Sequence, residues 1–201
     1  IMLLKACGTG TVEAGFPQNS ITTSTFDATS GSWTYRFSIS DNTISAGGGI
    51  YRMCWCSAST TPCMYPAHFL VPSGLLTVFG PERDHYYSCV KDQRCIIEEF
   101  GGLGLADGDR IRILVACGTG TPESGFPNGG NAIATNGGTS FRSQWESSPV
   151  TADPRQYRIC WCESQWGCTG TGPSTGFKMD AGVLAVVTIL PSGDKECHVG
   201  D

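Results

Sequence analysis

The sequence predicts an all-β fold: two tandem Ig-like β-sandwich modules, disulfide-stapled. Three observations predict it. Eleven cysteines are scattered at wide spacings through 201 residues, 27 glycines and 11 prolines punctuate short apolar runs, and two long motifs each occur twice. Cysteines in that number, not clustered as ligand knuckles, point to an oxidising compartment, so the chain is expected to be secreted or at the cell surface. Charged residues make up only 15% of the chain, which with so many Gly, Pro, Ser and Thr describes short strands and turns, not amphipathic helices. Disorder is a poor fit, because 40% of residues are apolar.

The duplication organises the chain. Ala6–Pro17 reads ACGTGTVEAGFP and Ala116–Pro127 reads ACGTGTPESGFP; Tyr51–Cys56 (YRMCWC) returns as Tyr157–Cys162 (YRICWC), and Cys63 and Cys168 trail the two copies. Cys7 and Cys117 are 110 positions apart, Cys54 and Cys160 are 106, and Cys63 and Cys168 are 105, so the copies differ by small loop insertions. A period of about 108 residues is too long for a solenoid unit and suits an independent sandwich. The expected domains are a first module over residues 1–81, a second over 82–195, and a stub of a further repeat or donor segment over 196–201.

Taken in order, Ile1–Cys7 aligns with Ile111–Cys117, so the opening residues read as a structural strand from which any signal peptide has been removed. Trp33–Ile39, Arg110–Ala116 and Tyr157–Cys162 are strands by their aromatic and β-branched content and their Gly, Asp or Pro boundaries. Asp107–Arg110 (DGDR) is a tight turn, since a calcium loop needs more oxygen ligands at fixed spacing. Gly74–Phe79 and Gly182–Val187 read as the core strands that end each copy. Ala181–Leu190 is the longest apolar stretch and is far short of the ~20 residues of a membrane helix, so no membrane span is expected. The second copy opens with Cys89–Leu103, for which the first has no counterpart, and Cys197 lies 108 residues after Cys89. The first module is therefore expected to lack its first strand, and Glu196–Asp201 to resemble the opening of a third copy.

The repeat also divides the cysteines. In Cys-Trp-Cys the two cysteines face one side of a strand and the tryptophan the other. The expected bridges are Cys7–Cys54, Cys117–Cys160, Cys56–Cys63, Cys162–Cys168 and Cys89–Cys95, with exchange of Cys54 and Cys56 the competing pattern. Cys197 has no partner six positions on. No metal is expected, because paired CxxC ligands are lacking and His68, His85 and His198 do not recur between copies.

Several function classes drop out. The net charge is −5 and no basic run is longer than two residues, so neither nucleic acid nor an anionic membrane is an expected partner. The glycine-rich Cys7–Thr11 and Gly101–Gly104 lack the context of a phosphate or dinucleotide site, so no cofactor and no catalytic residues are expected. There is no Asn-x-Ser/Thr sequon; Ile21–Trp33 reads as a plain polar loop, with O-linked sugar as the competing reading.

Tyr-Arg-x-Cys-Trp-Cys, a short cysteine loop and a Gly-Leu-Leu-Thr-Val type strand resemble Cys-rich β-repeats of extracellular protist proteins. The two-module layout with offset ends is similar to subunits of natural extracellular fibrils in which Ig-like domains polymerise head to tail. That resemblance implies a filament whose partner is a further copy of the chain. A sandwich missing one strand leaves unpaired backbone groups and an apolar groove, which a neighbour's strand would fill. Ile1, Met2, Leu3, Leu4 and Cys197 are the expected inter-subunit residues. The alternative is a fragment of a longer tandem-repeat surface protein, acting as an adhesion or carbohydrate-binding module through Trp33, Trp145 or Trp166, with environmental glycans as partners.

Overall fold

Aromatic and β-branched runs cut short by glycine and proline have one stable use, which is to pair as strands. A computed structural model of the chain describes residues 1–36, 44–59, 62–118, 121–141, 145, 148–166, 168 and 176–188. The first half contains β1 (Met2–Leu4), β2 (Thr23–Asp27), β3 (Ser32–Arg36), β4 (Gly49–Trp55) and β5 (Val71–Val78). A short β6 (Gly80–Pro81) leads into β7 (His85–Val90), β8 (Gly102–Leu103), β9 (Arg110–Leu114), β10 (Asn131–Ile133), β11 (Gln156–Cys162) and β12 (Met179–Val187). The chain is all-β in its described elements, with single-turn 3-10 pieces between strands.

The first half builds a three-stranded sheet in the order β1-β4-β5, and the second a five-stranded sheet in the order β10-β9-β11-β12-β7. β1, β4 and β5 correspond by position to β9, β11 and β12. Local contacts recur with them. The Tyr51 hydroxyl donates to the Gly47 carbonyl at 2.6 Å and Tyr157 to Asp153 at 2.7 Å. Phe16 meets Tyr51 edge-on at 4.8 Å, as Phe126 meets Tyr157 at 4.9 Å. Both sheets carry an irregularity at one place, between Met53 and Cys54 and between Ile159 and Cys160.

Five disulfides join Cys7–Cys54, Cys56–Cys63, Cys89–Cys95, Cys117–Cys160 and Cys162–Cys168, with Cα separations from 5.3 to 6.1 Å. Exchange of Cys54 with Cys56 is thus not the pattern formed. Cys160 and Cys162 share one apolar cluster with Leu114 and Phe177, whereas Trp161 enters the cluster on the opposite face. The period-two geometry of a strand dictates that separation.

The largest core lies on one face of the five-stranded sheet, where Ile113, Ile159, Leu184 and Val186 meet Ile97, Phe100, Phe141, Trp145 and Val150. The latter five lie outside the strands, so the cover over this face is made of loop residues instead of a second sheet. Trp145 is a correction to the sequence reading: it is fully buried, with its indole N–H donating to the Asn131 carbonyl at 2.9 Å, and presents no surface platform. Trp166 ends a 3-10 turn, Ser164–Trp166, and its side chain lies outside the described residues.

Candidate assembly site

The residues expected at a subunit boundary are placed as follows. Met2, Leu3 and Leu4 pair with Cys54, Met53 and Arg52 of β4 and are buried in the first half's own core, and Ile1 beside them is half-buried. They are covered on both faces within the chain. Cys197 and the rest of 189–201 lie outside the described residues.

The open edge is at β5. The alternating pattern of Gly74–Phe79 predicts a core strand, yet Leu75 is 61% exposed and only Leu76 and Val78 are half-buried. In the second half the corresponding β12 is buried along most of its length. The difference has one source. β7 runs parallel to β12, pairing Gly182 with His85 through to Val187 with Val90, while among the described residues β5 pairs with β4 alone.

The face of the first sheet shows the same deficit. Tyr51, Met53, Leu76, Val78 and Ile44 pack against Leu3, Phe16 and Ala46 but remain half-exposed. Their counterparts Tyr157, Ile159, Leu184, Val186 and Val150 are buried. The result is an apolar groove beside an unpaired strand edge.

Gly74 occupies the place in the first sheet that Gly182 holds in the second. It pairs with Met53 as Gly182 pairs with Ile159, and the two glycines share a φ of +138° and +132°, which side-chain-bearing residues rarely adopt. At Gly182 a Cβ would collide with the His85 backbone, so the glycine lets β7 approach. At Gly74 a Cβ would meet only the Met53 methyl, 3.0 Å away. The conformation that receives a strand is present, and the space is open.

Around this site burial tunes two phenols. Tyr51, in the groove, is raised above the usual tyrosine range by burial and by the Glu13 carboxylate. Tyr87, on β7, is pushed up to about 12 by burial and then by Glu99. Neither is set up as a base at neutral pH. A cleft of about 660 Å³ where the halves meet is lined by Lys5, Glu13, Glu82, Arg83, Asp84 and His85, whose opposed charges select no single ligand class. Among the described residues, no cluster of three or more His, Cys, Asp or Glu is placed to hold a metal ion. No described helix is long and apolar enough to cross a membrane.

Comparison with protein-family models, curated proteins and solved structures finds no match. The site therefore rests on geometry alone. The sequence reading expects the contact at Ile1–Leu4. The shared glycine in Ser73-Gly74-Leu75-Leu76 and Ala181-Gly182-Val183-Leu184 was the signal that pointed to β5.

Proposed function

We propose that the chain is a structural subunit of an extracellular filament, assembling head to tail by inter-subunit β-strand complementation. The observation that carries this reading is the open edge of β5 beside a half-exposed groove, at the place where the second half holds β7. A strand laid along β5 would pair its backbone groups and cover Leu76 and Val78, each contributing roughly 1.5–3 kcal/mol on full burial. The donor is the segment of a neighbouring copy around Cys197, the 196–201 stub with the residues just before it; by the offset from β7, Cys197 would face Val78 and Lys195 would face Leu76. A contact between unlike ends of identical subunits propagates into an open polymer.

A second observation supports the head-to-tail sense. The connector carries Gly80 over Trp161 and Met179, so closely that a Cβ there would strike the Met179 thioether. The corresponding pair at the end of the first half, Trp55 and Val71, is exposed, as is Leu70. The next subunit's connector would cover it. Disulfide bonding suits a secreted, Ig-like module series of this kind, in which the chain acts by assembly and not as an enzyme.

Electron microscopy of the purified, non-reduced protein tests the proposal. Regular filaments are expected, and Leu76→Lys with Val78→Lys should leave single particles. Monodisperse particles of the unaltered protein would overturn it. The alternative, an adhesion or carbohydrate-binding module from a longer repeat array, draws on exposed Trp33 and requires saturable glycan binding by a monomer.

A further inference from the structure

The first half exposes a second surface besides the β5 edge. In the β2–β3 hairpin, Phe26 pairs with Trp33 and Ser24 with Tyr35, which places all four on one face. The Phe26 and Trp33 rings lie 5.0 Å apart and are 50% and 57% exposed. Thr25, Asp27, Ser32 and Thr34 occupy the other face. The hairpin is held by its turn: Asp27 accepts hydrogen bonds from the Thr29 N–H at 2.9 Å and the Ser30 hydroxyl at 2.7 Å.

The second half shows what covers such a face. The Thr135–Ser140 bridge closes a four-residue turn just as the Asp27–Ser32 pair does, and an aromatic residue follows each serine, Phe141 and Trp33. Phe141 is fully buried. Phe100 meets it edge-on at 5.0 Å, the Phe141 N–H donates to the Ile97 carbonyl at 2.9 Å, and the Phe100 N–H donates to Thr139 at 3.0 Å. Ile97 and Phe100 belong to an arm that follows directly from β7 and its Cys89–Cys95 loop. One continuous segment thus covers both the β12 edge and the aromatic after the turn. Among the described residues of the first half, no strand pairs with the free edge of β5 and Trp33 is 57% exposed.

We propose that the Phe26–Trp33 face docks an apolar arm of the Ile97–Phe100 kind, borne by an incoming segment that lays a strand along β5 and continues, as residues 91–100 continue from β7, past the point that residues 196–201 reach. The partner is a segment of defined build: a strand like His85–Val90, a disulfide-closed loop, and an arm with an aliphatic residue and a phenylalanine three positions apart. The inference rests on the acceptor reading of β5 and adds a second point of attachment. A strand alone would leave Trp33 in water. The arm repeats the ring-on-ring and backbone contacts that bury Phe141.

The test titrates two peptides into the full chain: residues 85–100 oxidised to close Cys89–Cys95, and the same peptide ending at Cys95. Both should slow amide exchange over Val71–Val78. The longer should bind about tenfold tighter, the scale of one buried aromatic contact, and blue-shift an emission that disappears in Trp33→Ser. Phe26→Ser and Trp33→Ser, on an exposed hairpin whose loss leaves both cores intact, should bring the longer peptide down to the affinity of the shorter. Equal affinities would overturn the arm contact and leave the β5 acceptor standing. Binding of neither peptide would overturn both. A saturable Trp33 response to cello- or laminari-oligosaccharides, with none to the arm, would assign the face to glycans and sink the proposal. Absence of filaments in the microscope bears on the proposed function alone.

Discussion

The two halves share a sheet plan and a disulfide plan, and they differ in what lies over the sheet. Tyr157, Ile159, Leu184 and Val186 are buried, while Tyr51, Met53, Leu76 and Val78, at the same places in the first sheet, are half-exposed. The second half holds β7, the Cys89–Cys95 loop and the Ile97–Phe100 arm; the first has no such segment within the described residues. One stretch of about 16 residues therefore separates a closed core from a half-exposed one. Single-sheet modules of this size have little apolar area to spare, so the covalent staples carry more of the stability where the cover is absent.

The largest expected effect sharpens that contrast. Cys7–Cys54 and Cys117–Cys160 close loops of similar length, with separations of 47 and 43 residues, so each should contribute about 4 kcal/mol by restricting the unfolded chain. Cys7→Ser with Cys54→Ser is expected to unfold the first half, while Cys117→Ser with Cys160→Ser leaves a weakened but folded second half. Hydrogen exchange resolved by segment distinguishes them. Equal losses of protection in both would mean that the loop and arm add no stability.

Next in size is a matched pair of truncations. Phe141→Ala empties a fully buried site and should cost roughly 3–5 kcal/mol. Trp33→Ala, at the corresponding place on the open hairpin, should stay within about 0.5 kcal/mol of the unaltered monomer. Denaturant unfolding at a concentration low enough to hold the protein monomeric measures both. A cost above about 2 kcal/mol for Trp33→Ala would show that the ring already packs within its own chain.

This pair also shows what could be read from sequence. The duplicated motifs located the strands, the Cys-Trp-Cys alternation and the bridges, because period-two geometry and repeat spacing are local properties. Trp33, at the start of an expected strand, and Trp145 both stand among polar neighbours in the sequence. Trp145 is buried because Asn131 accepts its N–H and the arm from Cys95 to Phe100 closes over that region, a contact set by segments distant in sequence. Gly74–Phe79 is exposed for the same reason: its apolar pattern is right for a core strand, and burial depends on a β7-like partner that the described residues of the first half do not supply. Ile1–Leu4 read as an apolar strand wanting cover, and β4 with the Phe69 and Phe16 clusters supplies it within the chain.

A smaller effect separates the two glycines. Gly182→Ala adds a Cβ that meets the His85 backbone, on top of about 1–2 kcal/mol for an unfavourable φ, and should loosen β7. Gly74→Ala carries the φ cost alone in the monomer, because the Met53 methyl can swing aside. It should nonetheless abolish strand acceptance, since the incoming backbone would occupy the place His85 holds beside Gly182. Peptide binding and filament formation lost together, with the monomer destabilised by no more than the φ cost of about 1–2 kcal/mol, is the expected outcome. Retained binding would move the register off Gly74.

The smallest effect is a pH dependence tied to β7. In the folded protein Tyr87 is pushed up to about 12, chiefly by burial and then by Glu99, whereas in the unfolded chain it titrates near 10. Between those values the native state holds the proton and the unfolded state has released it, so stability is fully present below pH 10 and falls as pH rises toward about 12. The group is about half in contact with solvent, which keeps the effect modest. Tyr87→Phe should flatten this part of the pH profile for the second half. The Tyr51 phenol, raised by burial and Glu13, gives the first half a loss of the same sign. A strand docked on β5 deepens the burial of Tyr51, so binding of the peptide 85–95 should push its titration higher still. An unchanged Tyr51 titration on saturation would place the peptide away from the groove.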